Sequence, residues 1–173
     1  MAVFRFSPIK DKSELFKAME YIHIECHRFL KQNLGYLLPV AGNIGVFCHY
    51  EDEFSRLIEI RKELTDVNNN WNQKYFKLHK PIVFPAKNDI PQTTYTYLYI
   101  RKPELSNAKV GDVDFYLESE KYKELKQSLL SGKITKGLKL FERPDLDLIR
   151  LYDPNFDVSS FIGSYVLEEV ATQ

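Results

Sequence analysis

Cysteine is nearly absent from this 173-residue chain: there are two, Cys26 and Cys48, too few and too isolated for a disulfide framework. Net charge is absent as well. Lys plus Arg and Asp plus Glu both number 24, which leaves no overall basic field for nucleic acid or an anionic membrane. No apolar run approaches the roughly 18 residues of a membrane-spanning helix, and the start "MAVFRFSPIKDKSELF" has no charged segment leading into an apolar core. The expectation is a cytoplasmic protein with neither membrane nor nucleic-acid partner. Catalytic signatures are missing too: no G-x-S-x-G elbow, no P-loop, no dinucleotide fingerprint and no zincin motif.

What is present is an ordinary folded composition, 44% hydrophobic and 28% charged, with 11 Tyr and 12 Phe to build a core. The length fits one α+β domain spanning 1–173. Zero net charge also removes one barrier to self-association, so a homodimer is a candidate assembly.

"AVFRFSP" alternates and reads as a short first strand ended by Pro8. Residues 11–34 read as a long amphipathic helix, with Asp11 or Ser13 as cap, Leu15, Met19, Ile22, Cys26, Phe29 and Leu30 as stripe, and Gly35 as stop. Residues 43–50 form a strand. Residues 51–64 form a helix whose acids lie in its first turn, as the helix dipole prefers. "KYFKLHKPIVFP" is a strand bent at Pro81, and "TTYTYLYIRKP" is the clearest strand in the chain. "VGDVDFYLE" is a further strand, "SEKYKELKQSLLSG" a helix with Ser119 as candidate cap, and 137–142 and 146–152 two strands joined at Arg143-Pro144-Asp145. From Phe156 the spacing of Val158, Phe161, Ile162 and Tyr165 favours a helix.

The order strand-helix-strand-strand therefore occurs twice, over 43–101 and 110–152. Two β-α-β-β units predict an antiparallel or mixed sheet with helices packed on one face and the other face free, plus the long N-terminal helix. At the level of architecture this is similar to vicinal-oxygen-chelate and ferredoxin-like sheets, which does not by itself assign a function.

Two clusters are candidate sites. In "TYTYLYIRK", alternation places Tyr95, Tyr97, Tyr99 and Arg101 on one face and Thr94, Thr96, Leu98 and Ile100 on the other, core face. If "GDVDFYLE" pairs beside it, Asp112, Asp114, Tyr116 and Glu118 join the tyrosines. Tyrosine offers flat area with a hydroxyl, arginine a fork for carboxylate or phosphate, and carboxylates acid–base capacity. The bland alternative is a half-exposed sheet face, or one covered by a helix or a second subunit. A covered arginine needs a partner, and Asp112 and Asp114 are the nearest candidates.

The second cluster is Glu20, His23 and His27 in "EYIHIECH". At ~100° per residue they lie within about 60° of each other on the helix, a donor set suited to zinc, iron or manganese. Against that, the same step places His23 at the border of the apolar stripe and His27 on its wet side, where histidine is common. Cys26, near the stripe's centre, reads as a core residue.

His49, beside the acidic "EDE", is expected to favour its protonated form. Asp145, Asp147 and Asp153 with Arg143 and Arg150 read as a charged sheet edge rather than a calcium loop. Trp71 reads as a loop anchor.

Three functions are open. The first is a small-molecule-binding domain or enzyme using Tyr95, Tyr97, Tyr99, Arg101, Asp112 and Asp114. The second is an enzyme dependent on a divalent metal held by Glu20, His23 and His27. The third is a non-catalytic homo-oligomeric interaction protein.

Overall fold

A computed structural model describes residues 4–70, 72–134, 136–143 and 146–171. Trp71 and the Pro144-Asp145 part of the predicted turn lie outside the described residues.

The long helix α1 spans Lys12–Leu34. The Asp11 side chain accepts from the Glu14 amide at 2.9 Å, and the Glu14 carboxylate accepts from the Lys10 amide at 2.7 Å. Such reciprocal capping satisfies amides that the first turn leaves free. Gly35 ends the helix at φ 81°, its amide donating to the Lys31 carbonyl. The expected stripe is fully buried, from Leu15 and Met19 to Phe29 and Leu30.

Seven strands form one mixed sheet: β1 (Val40–Phe47), β2 (Phe76–Phe84), β3 (Thr93–Arg101), β4 (Gly111–Tyr116), β5 (Leu138–Arg143), β6 (Leu146–Leu151) and β7 (Ser159–Gly163). Their order is β2-β3-β1-β4-β7-β6-β5. Helix α2 (Glu51–Leu64) follows β1, α3 (Ser119–Leu130) follows β4, and α4 (Leu167–Ala171) follows β7. In each half the first strand pairs parallel with the last, β1 with β3 and β4 with β7. The halves join where β1 and β4 run antiparallel at the centre of the sheet.

The helix-bearing face carries the core. Val46 lies opposite Gly111, and a Cβ at Gly111 would sit 2.4 Å from Ile22 Cδ1 of α1. Ile44, Leu98 and Val113 are in register on that face and fully buried. On the same side, Arg61 of α2 stacks on Phe76, and the Tyr122 hydroxyl of α3 donates to Asp147. Asn43, Gly45, Tyr99, Asp112 and Asp114 face the other way, as the contacts described below show.

The fold corrects three expectations. Residues 4–8 are not a strand. The amide of Ile9 donates to Glu53 rather than to a neighbouring strand, and Pro8 has no amide to give. The segment from Phe156 holds strand β7 before the short α4. Inserted between β4 and β6, it satisfies its backbone there, which outweighs the helical spacing of its apolar residues. His23 and His27 are both only 2% exposed, not at a wet border. Phe84 and Tyr95 from the β2–β3 hairpin wrap that flank of the helix, with Phe84 stacked on the His23 ring at 4.8 Å.

Helix α3 begins at Ser119 with Glu118 in the cap position and no side-chain cap. Among the described residues no helix is long and apolar enough to cross a membrane.

Candidate functional site

The tyrosine strand does not present three tyrosines on one face. Alternation fails between Tyr95 and Tyr97. Beside these residues the β2–β3 register shifts between Lys77 and Ile82, and the β1–β4 register shifts between Val40 and Ile44. Pro81 falls within the first irregularity, on an edge strand where the missing amide costs little. At the second, Gly42 takes φ 111° and the Thr96 hydroxyl donates to its carbonyl. Tyr95 thereby turns beneath α1, wholly buried, with its hydroxyl 2.9 Å from His23 Nδ1. Tyr97, Tyr99 and Arg101 stay on the opposite face, beside Asn43, Gly45 and Phe47 of β1.

Nor does β4 lie next to β3, because β1 runs between them. Gly45 makes the missing connection. A Cβ there would stand 2.0 Å from Asp112 Oδ1 and 3.4 Å from Tyr99 Cδ1. With no side chain at 45, the Asp112 carboxyl and the Tyr99 ring close over the strand from either side. Arg101 hydrogen-bonds Glu104 and stacks 4.8 Å from the centre of the Phe47 ring, rather than pairing with Asp112 or Asp114.

The chemistry of this face centres on β4. Asp112 and Asp114 stand two residues apart, so they point the same way. Asn43 donates to Asp114 Oδ2 at 3.0 Å, and the Tyr75 hydroxyl points at the same oxygen from 3.5 Å. The other oxygen of each carboxyl, and Asn43 Oδ1, are buried without a hydrogen-bond partner among the described residues. Tyr75 packs its ring against Tyr99 at 5.5 Å, Tyr165 lies against Gly163 on the far side, and α4 contacts β1.

Burial disfavours the charged form of both acids. Asp112, 7% exposed, is held well above the usual carboxylate range, first by desolvation and next by Asp114, with Arg101 opposing weakly. Asp114 is raised to about 6 by desolvation, moderated by the hydrogen bonds from Asn43 and Tyr75. Their titrations are linked, since charge on Asp114 disfavours charge on Asp112. Desolvation likewise raises the phenols of Tyr75, Tyr99 and Tyr165, which remain neutral donors.

The helix cluster is not gathered into a metal centre. Glu20 is exposed and pairs with Lys87 at 3.5 Å, while His23 is engaged by Tyr95 and His27 Nδ1 by the His23 carbonyl at 2.7 Å. His49 and His79 lie elsewhere, against Ser7 and Asp66 respectively. Among the described residues no group of three or more His, Cys, Asp or Glu is placed to hold a metal. The sheet face that carries Asp112 and Asp114 offers two carboxyls and an amide, which falls short of a three-ligand centre.

Cys26 and Cys48 are buried free thiols whose pKa is pushed up by desolvation, so neither is a ready nucleophile. His49 is shifted down, not up: burial outweighs Glu53. Asp147 accepts from Tyr122 and Lys126, and Asp153 from Gln32 and the Asn155 amide.

No protein-family model and no curated protein matches the sequence. Among solved structures, the chain is similar to a structural-genomics protein designated EC4020, with 13% identity, 99% of this chain and 97% of that chain covered, and a TM-score of 0.63. That likeness shows the fold alone, an α+β arrangement around one mixed sheet. Two further neighbours cover 74% of this chain. One is a Streptomyces coelicolor methylmalonyl-CoA epimerase bound to 2-nitronate-propionyl-CoA, with 15% identity, 98% of that chain covered and a TM-score of 0.34. The other is a fosfomycin resistance protein from Listeria monocytogenes complexed with Mn(II) and sulfate, with 13% identity, 91% of that chain covered and a TM-score of 0.28. At those scores neither bears on the chemistry of this chain.

Four residues of this face escaped sequence reasoning: Asn43, Gly45, Tyr75 and Tyr165. The first two carried a readable sign. "NIG" places a glycine at the middle of a predicted strand, where close approach by a neighbouring side chain is the usual reason. Tyr75 and Tyr165 come from distant segments and join the face only through the fold.

Proposed function

We propose that this protein binds a small polar molecule on the sheet face that carries Asp112 and Asp114 and acts on it by proton transfer. The observation that carries this reading is the Asp112–Asp114 pair: a buried and a partly buried carboxyl on one face of a central strand, each with a buried oxygen left unpartnered. Asp112 is the neutral acid, able to donate a hydrogen bond to a ligand oxygen. Asp114, ionising near pH 6, is the proton acceptor. Two carboxyls whose surroundings push their proton affinities apart form an acid–base pair. Tyr75, Tyr99 and Tyr165 supply apolar area and neutral hydroxyls around them. No step here runs through a metal, because the donor set does not suit one.

The reading is tested with a fragment library of small carbonyl and hydroxyl compounds, observed by protein NMR. Binding should perturb Gly45, Tyr99, Asp112 and Asp114 together. Asp112→Asn and Asp114→Asn, which conserve shape, should each weaken it about ten-fold or more. Hits that are indifferent to both substitutions would refute the proposal.

A further inference from the structure

A second site lies on the helix-bearing side of the sheet, away from the acid pair. A cavity of about 370 Å³ opens between the C-terminal half of α1, the loop at Leu37 and the turn at Asn88–Ile90. Ile24, Leu37 and Ile90 make its apolar walls. Lys31 and Asp89, themselves ion-paired and half exposed, also line it. His27 lines it as well, although the residue as a whole is 98% buried, from its 2% exposure.

The state of the His27 ring follows from its contacts. A carbonyl only accepts, so the 2.7 Å contact with the His23 backbone oxygen fixes the proton on Nδ1. Burial lowers the pKa, which keeps the ring neutral near pH 7. Nε2 is then a bare acceptor, and no described residue hydrogen-bonds it. The edge of the Phe115 ring at 5.1 Å and the His23 ring at 4.5 Å hold the imidazole in place. A fixed acceptor in a largely apolar cavity of this size, with Arg28, Gln32 and Asn88 also in its lining, matches the general form of a small-molecule site.

We infer that this cavity takes a small uncharged molecule with an apolar body and a single O–H or N–H donor, of the phenol or alcohol class, with the donor on His27 Nε2. The lining charges are already paired, Lys31 with Asp89 and Arg28 with Glu25, so an ionic ligand finds no unpaired charge there. The apolar walls favour a ring or short chain over a sugar-like molecule with many donors.

The test is titration of the intact protein with phenol and, separately, with toluene, which is close in shape and lacks the donor. The ¹⁵N resonance of His27 Nε2 and the amides of Ile24 and Ile90 are the readouts. Phenol should bind saturably, shift Nε2 in the direction of an accepted hydrogen bond, and bind about ten-fold more tightly than toluene. His27→Phe should remove that preference while still admitting both molecules. Equal affinity for phenol and toluene in the unaltered protein, absence of saturation, or shifts confined to Gly45 and Asp112 would each overturn the inference. The wild-type comparison stands even if His27→Phe fails to fold. None of these outcomes depends on the acid pair.

Discussion

Two clusters of buried polar groups, one on each face of the sheet, differ in how their hydrogen bonds are met. Beneath α1, Tyr95 and His23 meet at 2.9 Å and the Nδ1 of His27 takes a backbone carbonyl. On the other face, Asp112 is buried and Asp114 partly buried, and each keeps a buried oxygen unpartnered. A buried hydrogen-bonded pair is near neutral for stability, whereas an unpaired buried acceptor is a net cost. The first arrangement is what a core needs. The second costs stability, and a ligand that supplies the missing donor would recover it. The contrast also divides the tyrosines of one strand: Tyr95 belongs to the core and Tyr99 to the site.

The comparison breaks most severely at its seam, where β1 meets β4. Gly111→Ala puts a Cβ 2.3 Å from the Gly45 carbonyl oxygen and 2.4 Å from Ile22 Cδ1. Neither a backbone atom nor a packed core residue yields easily, so a loss of about 3 kcal/mol or more is expected in chemical denaturation.

Next in size is the pH dependence of the acid pair. Both native pKa values are raised above the unfolded carboxyl value, so the associated stability is fully present below about pH 4 and is lost as pH rises through the native values. For Asp114, raised to about 6, the loss falls mainly between about pH 4 and pH 6 and is on the order of 2–3 kcal/mol. Asp112, raised in the same direction, adds to that loss. Asp112→Asn keeps the shape without the charge. It should raise Tm at pH 8, leave it nearly unchanged at pH 4, and flatten the profile between.

Tyr95→Phe removes one hydroxyl from beneath α1 and leaves His23 Nδ1 without its partner. A cost of about 1 kcal/mol is expected, and the His23 pKa should change while Asp114 does not. Smallest is Arg101→Ala. Its partner Glu104 is exposed, and such pairs contribute little, so thermal unfolding should move by less than about 1 kcal/mol.

Much of the fold was legible because local pattern and tertiary context agree. The stripe from Leu15 to Leu30 marks α1, and alternation at 111–116 marks β4 and points Asp112 and Asp114 the same way. Where reading failed, a distant partner decided the outcome. Tyr95 leaves the tyrosine face where the β2–β3 register shifts and, beside it, β1 shifts against β4, and no property of "TYTYLYIRK" encodes a neighbour's bulge. The tail became β7 because a place between β4 and β6 was open to it. His23 and His27 are buried by a hairpin some 60 residues further on, which helix geometry alone does not show. Half of the candidate site was foreseeable in the same way: the acids from alternation, and the tyrosines at 75 and 165 only from the assembled fold.

Burial holds the proton affinities of both Asp112 and Asp114 above the ordinary carboxylate range. Side-chain ¹³C titration of the two carboxyls reads this directly, with the Asn variants giving the assignments. A midpoint near 6 is expected for Asp114, and one raised above the ordinary carboxylate range for Asp112. Midpoints below about 4.5 for both acids would mean a fully ionised pair and would contradict it.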